Sequence, residues 1–211
     1  MSDATPVNKH KWDREQDNFY VEPEWVTYRL CQVEKFEGMT VDPCAGGGNV
    51  VRGARSAGVM IVGSDLRERG FDGIEGGKDF FDPDCWVPGC WPVSNIISNP
   101  PYGRVPKDQQ TAGYRDRLEE RFVELALERT TCKVAAFLSA QWANGEKRGA
   151  WLETLPLYRI YKVGPRPACP PGHLYYGEKA NVGNGTTDFA WYVFLNGFQG
   201  APTLHWLRRD D

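Results

Sequence analysis

Hydrophobic positions along the chain follow two alternating patterns, one typical of buried strands and the other of amphipathic helices. The short apolar runs that match strands are MTVDP, VMIVGSD, VSNIIS, KVAAFLSA, YRIYKV and DFAWYVFL. The stretches with helical spacing are PEWVTYRLCQVEKF, NVVRGARSAG, YRDRLEERFVELALER and EKRGAWLETL. Because strands and helices alternate, the pattern predicts an α/β fold, with a mostly parallel sheet and helices on both faces.

The size of the chain is consistent with one domain of this α/β architecture. With 211 residues, of which 41% are hydrophobic, the chain is long enough to bury a sizeable core. We expect a flexible N-terminal segment over residues 1–17 and one domain over residues 18–211. Parallel sheets of this kind bind ligands outside the carboxyl ends of their strands, and each unusual stretch of this sequence falls at such an end.

Composition indicates the cellular compartment and the state of the cysteines. It has no run of 18 apolar residues and no apolar stretch of signal-peptide type near its start, so we expect a cytoplasmic protein without a membrane partner. The six cysteines are scattered and are interpreted as reduced thiols. Cys85 and Cys90 are spaced more widely than a usual zinc pair, and we expect no metal site.

Charge is unevenly distributed, although the net charge is only −3. Residues 65–85 hold seven acidic residues against three basic ones, whereas residues 159–167 hold three basic residues and no acid. A phosphate backbone would approach the second region and not the first. On charge alone, an ordinary solvated surface is the favoured interpretation.

A glycine-rich turn follows the first predicted strand, in the sequence VDPCAGGGN. The strand ends at Asp42, and Gly46, Gly47 and Gly48 lead into a helix. Glycines at this place allow a tight turn and a close approach of a ligand to the backbone. The spacing matches neither the dinucleotide fingerprint nor the phosphate-binding loop. A turn without any ligand remains an alternative.

Two acidic positions follow in the acidic region. Asp65 ends the next strand, where a carboxylate suits a hydrogen bond to the hydroxyls of a ribose. The neighbouring pair Asp79 and Phe80 could meet an adenine, with the carboxylate on its amino group and the ring against its face. A helix cap for Asp65 and a surface acid beside a core ring for Asp79 are the structural alternatives.

The sequence SNPPYG ends another predicted core strand with two prolines, which cannot continue a sheet. The side-chain oxygen of Asn99 and the carbonyl of Pro100 can accept the N–H groups of a planar amine and localise its lone pair for attack. Tyr102 can stack on the planar substrate, and the prolines, including Pro101, keep the acceptors in place. This stretch therefore indicates a site that holds a planar nitrogen, and a plain strand-terminating turn is the structural alternative.

Together these stretches resemble the class I S-adenosylmethionine-dependent amino-methyltransferases that modify adenine N6, in the gamma motif order and in the form of small phage-type members. The resemblance implies a seven-stranded Rossmann-like sheet, S-adenosyl-L-methionine as cofactor, and catalysis by Asn99, Pro100, Pro101 and Tyr102. The N-terminal stretch DNFYVEPEW resembles the segment that closes over the methionine part. The cofactor-binding residues implied are Tyr20, Pro23, Asp42, Pro43, Ala45, Gly46, Gly48, Asp65, Leu66, Asp79, Phe80 and Asn99.

The chain departs from the family in two places. Only 16 residues follow Leu195, so no separate target-recognition domain is expected, and sequence readout is assigned to residues 103–117 and 164–187. Where a second stacking aromatic is expected after GPRP, the chain has Ala168 and Cys169. The residues that could replace it are His173, Tyr175 and Tyr176. The residues expected to contact nucleic acid are Arg104, Lys107, Arg115 and Arg166.

The resemblance implies transfer of a methyl group from S-adenosylmethionine to the N6 amine of adenine in duplex DNA, with the base flipped out of the stack. We expect the protein to act as a monomer or as a homodimer. Methylation of an RNA base or of a protein glutamine uses the same four-residue motif and stays open as an alternative. A catalytically silent nucleic-acid-binding module on the same fold is the alternative of another class.

Overall fold

The computed structural model describes residues 19–82, 91–105, 107, 110, 115–177 and 185–209. The expectations for residues 1–17 and for Cys85 and Cys90 lie outside these ranges. The described strands are β1 (Thr40–Asp42), β2 (Ile61–Ser64), β3 (Ile74–Glu75), β4 (Val93–Ser98), β5 (Thr130–Ser139), β6 (Leu157–Gly164), β7 (Phe189–Leu195) and β8 (Thr203–Arg208). The described helices are α1 (Glu24–Val33), α2 (Asn49–Ser56), α3 (Leu118–Glu128), α4 (Glu146–Leu152) and α5 (Gly172–Tyr175), with a 3-10 turn at Trp142–Asn144.

All described strands form one sheet in the order β3-β2-β1-β4-β5-β7-β6-β8. Neighbouring strands are parallel except β7, which runs antiparallel to both β5 and β6. The expected α/β fold with a mostly parallel sheet is confirmed. The sheet has eight strands instead of seven, because β8 adds to the outer edge of β6.

The hydrophobic core is divided between the two faces of the sheet. On one face, α1 and α2 place Val26, Leu30 and Val51 against the rings of Phe137 and Trp191. On the other face, α3, the 3-10 turn and α4 cover a second cluster, which includes Phe122, Leu138 and Tyr192. A sheet covered on both faces explains why its central strands are continuous apolar runs. None of the described helices is long and apolar enough to cross a bilayer.

The direction of the strands brings the unusual sequence stretches together. The parallel strands β1, β2 and β4 are neighbours, and they end at Asp42, Ser64 and Ser98. The residues that follow all three strands therefore meet at one edge of the sheet. The glycine turn, Asp65 and the NPPYG stretch are those residues.

Candidate active site

A cleft of about 740 Å³, measured with its open mouth, lies at the carboxyl ends of β1, β2 and β4. The structure brings most of the predicted cofactor residues to its walls. Those that line it are Tyr20, Asp42, Pro43, Ala45, Gly46, Asp65, Leu66, Asp79, Phe80 and Asn99. Pro23 and Gly48 lie just before α1 and α2 and are not lining residues.

The glycine turn is fixed by the acid that ends the second strand. Asp65 accepts the Gly46 N–H on Oδ2 at 2.8 Å and the Arg67 N–H on Oδ1 at 2.9 Å. Gly46 has φ +53° and Gly48 has φ +82°, both in the left-handed region that favours glycine. Arg69 forms an ion pair with Asp65 at 3.5 Å. Asp65 thus orders the turn and still has lone pairs directed at a ligand, since a carboxylate offers about four acceptor positions.

The segment of residues 19–22 lies across the glycine turn and is bonded to residues 170–172. Val21 donates its N–H to the Pro170 carbonyl at 2.9 Å, and Gly172 donates to the Phe19 carbonyl at 2.8 Å. The Phe19 ring lies beneath the Arg69 guanidinium, 3.8 Å from the ring centroid, and against Gly46. The segment predicted to close over the cofactor is therefore placed beside the turn.

Asp42 is a fully buried acid with one unused oxygen. Its Oδ1 accepts the Ser98 hydroxyl at 2.7 Å and the Cys44 N–H at 3.2 Å. Among the described residues, Oδ2 has no hydrogen-bond partner. Burial raises the pKa of this carboxyl well above its usual range, and the nearby acids Glu22 and Asp65 raise it further. A cationic ligand in the cleft would lower this pKa and satisfy the orphaned oxygen.

Asn99 is oriented by two acceptors in the segment of residues 19–22. Its side-chain Nδ2 donates to Glu22 Oε2 at 2.7 Å and to the Tyr20 carbonyl at 3.3 Å. Both neighbours accept hydrogen bonds, so the amide nitrogen must face them. The amide oxygen Oδ1 is left buried and without a hydrogen-bond partner among the described residues. Asn99 therefore presents an unused acceptor beside the cleft.

The rest of the NPPYG stretch is anchored to the strands and helix behind it. Tyr102 donates its hydroxyl to the Phe137 carbonyl on β5 at 2.8 Å. Gly103 donates its N–H to Glu119 Oε2, in the first turn of α3, at 3.1 Å. Burial raises the pKa of the Tyr102 hydroxyl well above its usual range, so this group stays protonated and keeps its donor role. Both contacts fix the position of the ring.

The two residues predicted to contact the adenine, Asp79 and Phe80, both line the cleft. Asp79 accepts the Phe81 N–H at 2.8 Å on its Oδ1. The Phe80 ring is almost fully buried, with its centroid 5.1 Å from that of Phe122. Phe80 and Phe81 both border the cleft. The structure therefore combines the two interpretations of Phe80, which is a core ring and also a wall of the cleft.

One candidate for a second stacking aromatic, Tyr176, lies at the glycine turn. Tyr176 donates its hydroxyl to Asn49 Oδ1 at 2.8 Å, and its ring lies against Gly47. Its ring centroid is 4.6 Å from that of Phe71 and 4.9 Å from that of Tyr175. Among these residues, Tyr176 is placed to cover the glycine turn and not to stack beside Asn99.

The four predicted nucleic-acid contacts differ in how they are held. Arg115 forms an ion pair with Glu120 at 2.6 Å and lies 4.8 Å from the Trp151 ring centroid. Arg166 forms an exposed ion pair with Asp188 at 2.6 Å. Arg104 is exposed and forms a backbone bridge with Arg117, and Lys107 is exposed. Arg115 is thus a structural ion-pair partner, whereas Arg104 and Lys107 remain open to solvent.

Glu22 is a residue of the site that was not singled out from the sequence. Glu22 is 5% exposed, lines the cleft, and contacts Asn99, which is 77 residues away in the chain. Burial raises its pKa to about 7, although hydrogen bonds from the backbone and from Asn99 act in the opposite direction. Its signal in the sequence is an acid directly before Pro23, which has no meaning until the contact with Asn99 is known.

Comparison with known proteins places this fold among methyltransferases. No protein-family model matches the chain, and no curated protein matches it. A Listeria monocytogenes protein described as a class I S-adenosylmethionine-dependent methyltransferase superposes with a TM-score of 0.63 at 14% identity, over 93% of this chain and 68% of that one.

Modification subunits of type I restriction enzymes are also similar. The EcoKI M protein superposes with a TM-score of 0.58 at 12% identity, over 93% of this chain and 49% of its own. A modification subunit from Vibrio vulnificus gives 0.58 at 14% identity, over 92% and 47%. The chain spans about half the length of these two subunits. At such identities the likeness shows the fold alone, a mostly parallel α/β sheet shared with these methyltransferases.

The residues of the cleft fit the cofactor that this fold implies. Four carboxyl groups, those of Glu22, Asp42, Asp65 and Asp79, border the cleft, and one of them has an orphaned buried oxygen. This donor set suits a ligand that carries an ammonium, a sulfonium and a ribose. Where a Cβ is added at Gly46 it comes within 2.9 Å of the Phe19 ring, so the turn has no room for a larger residue. The cleft therefore combines a glycine turn without room for a larger side chain and carboxyl groups that can accept hydrogen bonds from a ligand.

Proposed function

We propose that this chain transfers the methyl group of S-adenosylmethionine to the exocyclic N6 amine of adenine in DNA. The observation that carries the proposal is the orientation of Asn99, whose amide nitrogen is held by Glu22 and Tyr20 while its oxygen stays without a partner among the described residues. A buried acceptor beside a cofactor cleft is what a planar amine requires. The similarity to modification subunits of restriction enzymes supports DNA as the substrate.

The cofactor is assigned to the cleft by the groups that border it. The glycine turn and Asp42 would hold the methionine part, Asp65 the ribose, and Asp79 with Phe80 the adenine. When bound, S-adenosylmethionine would supply an electrophilic methyl on a positively charged sulfur. Transfer of this methyl to the amine nitrogen would break the sulfur–carbon bond and release one nitrogen proton to solvent. Each carboxylate on the cleft wall favours this positive charge.

The residues of the chain act on the acceptor amine. Asn99 Oδ1 and the Pro100 carbonyl accept its two N–H groups, which draws the nitrogen away from the plane of the ring and localises its lone pair. Tyr102 stacks on the base while its hydroxyl stays on the Phe137 carbonyl. No covalent enzyme intermediate is needed, since the nitrogen itself is the nucleophile.

The test is transfer of labelled methyl from S-adenosylmethionine to unmethylated duplex DNA, with nucleoside analysis of the product. N6-methyladenine in the wild-type reaction and its loss in Asn99→Ala would support the proposal. Because Asn99 also lines the cleft, the circular dichroism spectrum and the unfolding midpoint of the variant serve as the control for folding. Methylated RNA or glutamine in parallel reactions, with unlabelled DNA, would contradict the proposed acceptor. Cofactor binding with no methylated product would point to the silent binding module.

A further inference from the structure

We infer that Glu22 is a positioning residue, which fixes the orientation of the Asn99 amide and so controls whether its oxygen faces the acceptor amine. This rests on the methyl transfer proposed above. A carboxylate has no donor, so the Asn99 nitrogen is the only amide atom that can satisfy Glu22 Oε2 at 2.7 Å. The second contact, from Nδ2 to the Tyr20 carbonyl, is longer at 3.3 Å and weaker.

Protonation of Glu22 removes this constraint. A neutral carboxyl carries an O–H donor, which can bond to the Asn99 oxygen and withdraw that oxygen from the substrate. Glu22 is buried, and its pKa is about 7, so the change falls within the working range of most enzymes. The ionised form orients the amide correctly, and catalysis is therefore expected to rise with pH through this value.

Several charged or titratable groups lie close enough to Glu22 to influence it. Arg52 favours the ionised form, whereas the carboxyl of Asp42, on β1, disfavours it. Tyr102, Cys169 and Tyr176 also interact electrostatically with Glu22, and each has a raised pKa and is therefore neutral near pH 7. Asp42 is a second buried acid whose pKa is raised, so the experiment must separate the two acids.

The decisive measurement is the side-chain amide signal of Asn99 in a nitrogen-15 NMR spectrum, followed from pH 5.5 to 8.5 and assigned with Asn99→Ala. In the wild type we expect this signal to titrate with a midpoint near 7. In Glu22→Gln the titration should vanish, whereas Glu153→Gln, the same change at an exposed glutamate, should leave it intact. A signal that does not move in the wild type, or that titrates equally in Glu22→Gln, would overturn the inference.

Kinetics give an independent readout. Because a glutamine side chain resembles the neutral carboxyl, Glu22→Gln should show a flat pH profile of kcat, near the acidic limit of the wild type. Loss of one orienting hydrogen bond in Glu22→Ala should lower kcat about tenfold. An unchanged kcat and pH profile in both variants would contradict the assignment. The NMR titration needs no substrate, so a wild type that shows it but methylates no DNA rejects the acceptor and not the role of Glu22.

A separate surface points to the path of the DNA. We propose that the groove between the carboxyl ends of β5, β6 and β8 binds the DNA strand that flanks the acceptor base, which again rests on the proposed function. Its basic side chains are Lys162, Arg208 and Arg209, and its acid, Asp188, is already paired with Arg166. On a chain with net charge −3, this local positive charge complements a phosphate backbone.

An exposed aromatic lies within the same groove. Trp206 is 65% exposed and is paired in register with Lys162 of the neighbouring strand, so the two side chains lie on one face of the sheet. Leu204 is on that face as well and is 48% exposed. A flat ring beside a cation suits a stacked base next to a phosphate.

The groove lies at the same edge of the sheet as the candidate active site, the edge at which the parallel strands end. β4, β5, β6 and β8 all run in one direction, so the groove and the NPPYG stretch share the carboxyl edge. From β5 to β8 there are three strand spacings, roughly 14 Å in total. This distance corresponds to about four base steps at 3.4 Å each. A strand whose flipped base enters the cleft can therefore continue along the groove.

The test is binding of a fluorescent DNA duplex at several salt concentrations. Lys162→Gln combined with Arg208→Gln should weaken binding about tenfold and reduce the salt slope by about two, one for each lost phosphate contact. Trp206→Ala should weaken binding without changing the slope, and Lys35→Gln, an exposed lysine elsewhere, should change neither. Unaltered binding by the groove variants would overturn the proposal.

Two further outcomes would also overturn it. If Trp206→Ala abolishes a concentration-dependent dimer of the wild type while DNA binding persists, the face belongs to a second copy of the chain. If DNA is methylated with an unchanged KM in all groove variants, the proposed function stands and the groove does not take part. Absence of any methylation by the wild type would instead reject the proposed function.

Discussion

At the scale of single residues, the site is built from carboxyl groups whose hydrogen bonds are already partly used. Asp65 accepts from Gly46 and Arg67. Asp42 uses one oxygen for Ser98 and Cys44. Each acid therefore has two tasks, because it orders the protein and leaves lone pairs for a ligand. This explains why acids stand at the strand ends, where a neutral amide could perform only half of the work.

Replacing Asp65 by asparagine should separate these two tasks. An amide offers one acceptor oxygen instead of two, so either the Gly46 or the Arg67 N–H loses its partner. We expect a loss of about 1–3 kcal/mol in stability and at least a tenfold weaker cofactor Kd. Urea unfolding and calorimetry measure these values. Asp72→Asn, at an exposed position of the same loop, should alter neither, and an equal effect there would contradict the explanation.

The sequence indicated the chemistry of single residues better than their partners. Asn99 and Asp42 could be found because proline and glycine mark the turns in which they lie. Glu22 could not be found, since its role depends on a contact with Asn99 across 77 residues. A pattern of neighbours contains no information about such a contact until the strand order is known.

At the scale of elements, the glycine turn is packed closely between two others. Gly47 leaves no space for a side chain, because a Cβ there would collide with the ring and hydroxyl of Tyr176. Tyr176 follows α5 and bonds to Asn49 in the first turn of α2. The glycine turn is therefore packed between Tyr176 and the sheet.

Gly47→Ala should consequently displace Tyr176 and break its bond to Asn49. We expect a cost of about 1–3 kcal/mol in unfolding free energy, as for other overpacked sites. In a Tyr176→Ala background the obstacle is gone, so the same alanine should cost clearly less. A double-mutant cycle by chemical denaturation measures this coupling. Additive effects of the two substitutions would show that the collision is not the cause.

The sequence predicted the central strands, but it missed two strands and placed the start of one helix too early. The central strands were recognised because burial on both faces makes them continuous apolar runs. β3 has two residues between glycines and β8 is mostly exposed, so neither showed such a run. The helix predicted from Tyr114 begins at Leu118 in the structure, because Arg117 has an extended backbone, bridges Arg104 and forms an ion pair with Glu119.

At the scale of the whole molecule, a buried acid joins a helix to two strands. Glu34 follows α1, is 2% exposed, and accepts from Lys133 of β5 at 2.8 Å and from Arg159 and Tyr161 of β6 at 2.7 Å and 2.8 Å. Burial would raise the pKa of Glu34, but these hydrogen bonds and charges lower it below its usual range. The residue lies beyond the cleft, so its contribution is to stability.

Glu34→Ala should be strongly destabilising, by about 3–5 kcal/mol, because it leaves two cations without their buried partner. Glu34→Gln should be milder, and Glu37→Gln, at an exposed position, should be neutral. Since the folded pKa is lowered, the contribution is complete above the unfolded pKa of about 4.3 and is lost as the pH falls towards the folded value. Urea unfolding between pH 3 and 7 checks this, and a wild-type advantage that grows on acidification would contradict it.

The pairing of the Phe19–Val21 segment with residues 170–172 has a consequence for how the protein is made. The wall of the cleft joins parts of the chain about 150 residues apart, a stretch that a ribosome extends in roughly 8–30 s. During that interval the early strands exist without the wall. A ligand that needs the wall can stabilise only the finished chain. Bound cofactor would therefore protect completed molecules from proteases and leave interrupted translation products to be degraded.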